Sequence, residues 1–172
     1  MSECLEVMKT RRSHRAYSDQ PVPQEAIEKI IAAGLMAPSG RGMQPVVIVA
    51  VTNREMRDRL AELNAKVMGA KTDPFYGAPV VLVVLADKKS HTYVYDGSVA
   101  MENMLLAAQD LKLGSCWIHR AKEVFAGEEG QALLKQWGLT GDYEGIGNCI
   151  IGYPLDEPKE KARREGRVIY VR

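Results

Sequence analysis

Arg11, Arg12, Ser13, His14 and Arg15 bring three guanidinium groups, a hydroxyl and an imidazole into five consecutive residues. Guanidinium presents a planar, fixed fork of donors, and serine adds a rotatable hydroxyl. Such a knot can grip a phosphate monoester through charge-assisted hydrogen bonds. Taken alone, the stretch reads more plainly as a solvated basic turn, because small basic clusters are frequent on surfaces. A second marked stretch is Ala37-Pro38-Ser39-Gly40-Arg41-Gly42-Met43-Gln44-Pro45. Its glycines let backbone amides approach a ligand closely, and Pro38 and Pro45 fix its ends. Gln44 offers both donor and acceptor, which suits reading an amide-like ring edge. The third stretch, Gly114-Ser115-Cys116-Trp117-Ile118-His119-Arg120, places an indole that either packs in a core or lies beside a planar ring. His119 reads first as an ordinary loop histidine. The fourth, Lys159-Glu160-Lys161-Ala162-Arg163-Arg164, reads first as a solvated charge run.

Two other patterns do not carry chemistry. Gly145-Ile146-Gly147 precedes a strand-like run rather than a helix, so it is no dinucleotide fingerprint. Ser39 lacks a Gly-x-Ser-x-Gly setting and triad partners, so it is no nucleophile elbow.

The elements that must hold these stretches follow from hydrophobic spacing. Ser2 can cap a first helix through about Thr10, with Leu5 and Met8 on one face. Pro23 can open a second helix carrying Ile27, Ile30, Ile31 and Leu35, and Pro38 ends it. Val46 to Thr52 reads as a buried strand. Asn53 then caps a third helix with Met56, Leu60, Leu63 and Val67 on one face. Val80 to Leu85 reads as a second buried strand. A fourth helix starts at Asp96 or Ser98 and runs to about Leu113. It is apolar around most of its circumference, so it expects burial on nearly all sides, by a partner subunit or inside a monomer. Gly114 to His119 is a strand, Lys122 to Phe125 and Glu128 to Trp137 are short helices, and Gly145 to Tyr153 is another strand. Arg167 to Arg172 reads as a final short strand. Strands alternating with helices indicate an α/β or α+β sandwich around one sheet, in one domain spanning residues 1–172.

Charge and composition narrow the partners. The 172 residues carry 23 basic and 22 acidic side chains, a formal net charge of +1. A nucleic-acid binder relying on phosphate neutralisation shows a stronger basic excess, so the basic knot is a local site. No apolar run approaches the ~20 residues of a membrane helix, and Met1 to Thr10 does not resemble a signal peptide. Cys4, Cys116 and Cys149 have no paired spacing and read as reduced thiols of a cytoplasmic protein. No ligand spacing points to a metal.

In this order, the marked stretches resemble the nitroreductase family of flavin mononucleotide (FMN) oxidoreductases over essentially the whole chain. The resemblance rests on Arg11-Arg12-Ser13-His14-Arg15, Ala37-Pro38-Ser39…Gln44-Pro45 and Tyr76-Gly77-Ala78-Pro79 before a strand. Leu113-Gly114-Ser115-Cys116-Trp117-Ile118, and Gly152-Tyr153-Pro154 before Lys161-x-Arg163, complete it. It implies an α+β three-layer sandwich with a mostly antiparallel sheet flanked by helices. It further implies a homodimer with exchanged tails and FMN at the interface. Arg11 and Ser13 would hold the phosphate or ribityl chain, helped by Arg12, with Lys161 and Arg163 closing from the tail. Arg15 would lie near the pyrimidine edge, where a guanidinium stabilises the charge of the reduced flavin. Pro38, Ser39 and Gly40 would come from the other subunit to the dimethylbenzene side. Gln44 would touch the ring edge or ribityl chain. Trp117 and Ile118 would back the ring, and amides near His119 and Arg120 would reach its N5 and O4 side. A mid-chain polar contact falls on Asn64 or Lys71.

The implied activity is hydride transfer from NADH or NADPH through FMN to a small oxidised acceptor, a nitroaromatic, quinone or flavin, in a ping-pong course. The cofactor supplies that chemistry, so no catalytic side-chain acid or base is required. The alternatives are a non-catalytic FMN-binding or sensing protein, and specialised flavin chemistry such as enone reduction or reductive dehalogenation. Gly42 and Val46 motivate the latter, since many relatives carry Asn and Trp there. Lys112 likewise stands where a glycine is usual.

Overall fold

The computed structural model describes residues 3–172; the expected cap at Ser2 lies outside the described residues. The elements run α1 (Glu3–Thr10), α2 (Gln24–Leu35), β1 (Val46–Val51), α3 (Arg54–Met68), β2 (Val80–Asp87), α4 (Tyr93–Asp110), β3 (Gly114–Ile118), α5 (Ala121–Ala126), α6 (Glu128–Gln136) and β4 (Tyr143–Gly152). The strands form a four-stranded sheet in the order β1-β2-β4-β3, and every neighbouring pair is antiparallel.

The alternation of β2 sets the layers. Side chains of a strand point to opposite faces in turn. Val81, Val83 and Leu85 enter one core with Leu60 of α3, Phe125 of α5 and Leu133 of α6. Val80, Leu82, Val84 and Ala86 enter a second core with Ile27 and Ile30 of α2 and Met101, Met104 and Leu105 of α4. Helices thus cover both faces of the sheet, which is why β2 reads as a continuous apolar run rather than an alternating one. Each such side chain taken fully from water contributes about 1.5–3 kcal/mol. Between Val84 and Leu85 the β2–β4 register shifts, with Val84 opposite Gly147 and Leu85 opposite Gly145. The Gly145-Ile146-Gly147 run is therefore a bulge in β4.

Local signals in the sequence formed as expected where their partners are also local. Pro23 precedes α2, and the Asn53 side chain accepts the Met56 amide at 2.9 Å to cap α3. Three expectations are corrected. β1 is an edge strand, only half-buried over Val46–Val49, because nothing among the described residues pairs with its outer side. α4 begins at Tyr93, not at Asp96 or Ser98. Asp96 lies in the first turn, and its carboxylate reaches out of the helix instead of capping it. The segment Arg167–Arg172 forms no strand within the chain; Val168, Ile169, Tyr170 and Val171 are exposed, and a strand needs an edge to pair with. Nor is α4 enclosed by its own chain, since Val94, Tyr95 and Val99 remain exposed.

Candidate functional site

The basic knot sits between α1 and the sheet. The His14 amide donates to the Ser115 carbonyl at 3.1 Å, and Ser13 bridges to Ser115 at the start of β3. The Tyr17 hydroxyl donates to the His14 carbonyl at 2.9 Å, and burial pushes that phenol far above its ordinary range. The C-terminal segment returns to the same place. The Ser18 amide donates to the Tyr153 carbonyl at 3.0 Å and the Leu155 amide to the Ala16 carbonyl at 2.9 Å. These contacts carry the tail back, so that Lys159, Lys161 and Arg163 join Arg11, Arg12, Ser13 and Arg15 around a cleft of ≈ 240 Å³.

Six cations line that cleft against one carboxylate, Glu160. Arg12 is largely committed. Its Nη1 donates to the Lys9 and Arg11 carbonyls at 2.7 and 2.9 Å, closing the C-terminus of α1, and its Nη2 lies 3.4 Å from Glu160. Arg11 is not so committed. Its Nε stands 3.9 Å from Glu102, while its Nη1 is buried without a hydrogen-bond partner. A buried donor left unmade costs about 1–3 kcal/mol. Such a donor inside a cationic cleft fits a phosphate dianion, whose oxygens would supply the acceptors.

The Pro38–Pro45 loop is built to hold an unusual backbone. Arg41, Gly42 and Gln44 have positive φ of 54°, 67° and 48°. For the two non-glycine residues this is costly and persists only when the surroundings over-determine it. Here they do. Asp96 accepts the Gly40 amide at 3.0 Å through one oxygen and the Thr92 and Ser90 hydroxyls at 2.8 and 3.2 Å through the other. The Ser39 hydroxyl accepts the Gln44 amide at 3.0 Å. A Cβ at Gly40 would collide with the Thr92 hydroxyl, so glycine is required there.

The third region is the end of β3. Trp117 is the exposed member of the strand, and its indole lies where a Cβ on Gly147 would stand. Ile118 packs instead into the first core. His119 is exposed, and its carbonyl accepts the Asn64 amide nitrogen at 2.8 Å. Arg120 adopts φ 76° as the residue before α5. Asn64 is fully buried with its Oδ1 unpartnered, whereas Lys71 is exposed.

The fold thus gathers Arg11, Arg12, Ser13, Arg15, Lys161 and Arg163 around one cleft. It places Pro38, Ser39 and Gly40 separately, at the start of α4, and Trp117 to Arg120 beyond β3. Sequence reasoning missed two acids that organise these parts, Asp96 and Asp156. Asp156 binds His14 Nδ1 at 2.8 Å and the Arg15 amide at 2.8 Å. Partial burial works against its ionisation, but the Arg15 amide and the His14 ring outweigh it and hold the carboxyl below its ordinary range. Its position two residues after Gly152-Tyr153-Pro154 and ahead of a basic run was the available signal. Among the described residues, no helix is long and apolar enough to cross a membrane, and no group of three His, Cys, Asp or Glu side chains could hold a metal ion.

Comparison with known proteins places this arrangement. The model of the nitroreductase family matches residues 8–156. An Archaeoglobus fulgidus protein, provisionally named NADH dehydrogenase/NAD(P)H nitroreductase, is 37% identical over 163 residues, covering 91% of this chain and 88% of that one. The FMN reductase (NAD(P)H) of Bacillus subtilis is 27% identical over 180 residues, covering 95% and 70%. The crystal structure of a nitroreductase with bound FMN from Bacteroides fragilis superposes with a TM-score of 0.89 at 30% identity, covering 100% of both chains.

Proposed function

From the premise that the chain belongs to the nitroreductase family, we propose that it is an FMN-dependent NAD(P)H oxidoreductase whose cofactor phosphate sits between Arg11–Arg15 and Lys159–Arg163. The observation that carries the placement is the buried, acceptor-less Nη1 of Arg11 in a cleft of cations. When bound, FMN supplies the hydride chemistry, taking hydride from NADH or NADPH and reducing a small oxidised acceptor (nitroaromatic, quinone or free flavin) in a ping-pong course.

The chain's own residues bind, orient and shield. Arg11, Ser13, Lys161 and Arg163 hold the phosphate and ribityl end, and Arg12 keeps the end of α1 in place beside them. Arg15 lies towards the pyrimidine edge, where a cation favours the more negative, reduced state of a flavin. Trp117, seated over Gly147, backs the ring. Ile118 anchors that strand in the core, and amides at His119 and Arg120 face the ring from a loop that Asn64 fixes. Pro38, Ser39, Gly40 and Gln44 complete the site from a second subunit, so the working unit is a homodimer in the cytoplasm. The exposed faces of α1 and α4 support that assembly. No side chain need exchange a proton in the committed step, since the cofactor carries the hydride chemistry.

The test is a visible spectrum of the purified protein, followed by anaerobic mixing with NADH and with NADPH. A yellow protein that bleaches on mixing and then turns over a simple quinone is the expected result. A protein that stays colourless and fails to take up added FMN overturns the proposal. One that binds FMN but bleaches with neither nucleotide is a flavin-binding protein without this activity.

A further inference from the structure

The cleft has two walls of the same sign, and like charges oppose its closure even through solvent. One wall belongs to the sheet-bound segment Arg11–Arg15. The other is the tail from Pro158 to Arg163, which has no regular secondary structure and takes no part in either core. Something must hold the second wall against the first. The main-chain bonds from Ser18 and Leu155 end just before the tail leaves. Within the tail the Arg12–Glu160 pair at 3.4 Å spans the walls, but Glu160 is more than half exposed there; the more enclosed tie is Asp156, two residues ahead of Pro158. One of its oxygens meets His14 Nδ1 and the other the Arg15 amide, each at 2.8 Å. Engaging both oxygens with adjacent residues of the opposite wall sets the direction of the departing chain as well as its distance, and bonds to an ionised carboxylate are among the stronger hydrogen bonds.

We propose that Asp156 is the positioning residue of the phosphate grip: through His14 and the Arg15 amide it latches the basic tail onto the basic knot, creating a two-walled cleft specific for a phosphate monoester. Asp156 does not touch the phosphate, which a carboxylate would repel. This inference rests on the FMN reading of the cleft and deepens it. The latch sets the two walls of the phosphate end, and its only link to the ring is the Arg15 main chain, so its removal penalises FMN more than riboflavin, which carries the same ring and ribityl chain without phosphate.

The experiment compares FMN and riboflavin dissociation constants, by flavin fluorescence, for the wild-type protein, Asp156→Asn, Asp156→Glu and His14→Phe. Trypsin cleavage after Lys159, Lys161, Arg163 and Arg164 is followed in parallel without flavin. Asp156→Asn is expected to lower the preference for FMN over riboflavin by about tenfold or more, the loss of one charge-assisted bond, with riboflavin affinity falling far less than that for FMN and tail cleavage faster. Asp156→Glu restores part of the preference, and His14→Phe, which leaves the Arg15 tie intact, loses part of it. An equal fall for both flavins, or an unchanged preference in Asp156→Asn, overturns the latch. If Asp156→Asn does not fold, an unchanged preference and cleavage rate in His14→Phe overturns it equally. A wild-type protein that binds both flavins alike, or neither, overturns the phosphate reading itself and the latch with it.

Discussion

Arg11 offers the most direct single-residue test of the cleft, because one of its terminal nitrogens is buried with no acceptor among the described residues. Its replacement by alanine removes a costly orphan from the flavin-free protein and a charge-assisted donor from the bound one. A bond of that kind contributes roughly 1.5–3 kcal/mol. Arg11→Ala should therefore raise the FMN dissociation constant by about 10- to 100-fold while leaving the melting temperature of the flavin-free protein no lower. Fluorescence titration and a thermal melt read the two halves. Gly147 tests the other end of the site. A Cβ there would occupy the place of the Trp117 indole, so Gly147→Ala must displace the ring. Overpacking of this kind costs about 1–3 kcal/mol. Urea unfolding should register that loss, and FMN binding should weaken as the indole moves. Unchanged stability together with unchanged binding would mean that Trp117 relocates freely and does not back the ring.

Two acids connect elements that are remote in sequence, each by engaging both carboxylate oxygens. Asp96 ties the start of α4 to the Pro38–Pro45 loop, whose backbone is held at positive φ in Arg41 and Gln44. Asp156 ties the end of β4 to the knot before the sheet. The Asp156 tie has a defined pH window. The groups facing it are the His14 ring and the Arg15 amide, with Tyr17 and Cys116 nearby. Its folded carboxyl titrates below its unfolded value, which is about 3.9. The unfolded chain thus binds the proton first, so the stabilisation is complete above the unfolded value and is lost as pH falls through the folded one. The difference in melting temperature between wild type and Asp156→Asn should be fully present at about pH 5 and shrink as pH falls below about 3.9. A difference that grows on acidification would show that another group carries the pH dependence.

At the scale of the molecule, the uncovered apolar surface bears on the proposed homodimer. α1 has no buried residue, with Leu5 and Met8 at 54% and 48% exposed. Leu35, Met36, Val94, Tyr95 and Val99 extend the apolar surface along α2 and α4. Soluble monomers rarely leave large contiguous apolar patches in water, and two-fold closure is the commonest remedy. Light scattering across a dilution series should show a dimer, and added FMN should tighten it, because a ligand bound only by the assembled state stabilises that state. Tyr95→Glu places a charge on a residue 74% exposed in the single chain. It should shift the equilibrium towards monomer and lower flavin occupancy with little change in the monomer's own fold by circular dichroism. A monomer that keeps its flavin at full occupancy would show that one chain builds the whole site, and the assignment of Ser39 and Gly40 to a second subunit would fall.

The sequence by itself determined what depends on near neighbours. Asn53 caps α3 through an amide three residues on, Pro23 opens α2, and the unbroken apolar run Val80–Leu85 reads as a buried strand, which β2 is. The order of the marked stretches was also legible, and with it the family and the basic residues that line the cleft, because each stretch keeps its residues side by side in the chain. Tertiary structure alone decided what depends on partners far away. Asp96 looks like a helix cap until Gly40, 56 residues earlier, takes one of its oxygens. Asp156 looks like a tail acid until His14, 142 residues earlier, meets it. The unpartnered nitrogen of Arg11, the half-buried edge of β1 and the open face of α4 are likewise invisible in one dimension. Whether a donor is satisfied or an apolar face is covered depends on every element that packs near it, and local sequence cannot specify that.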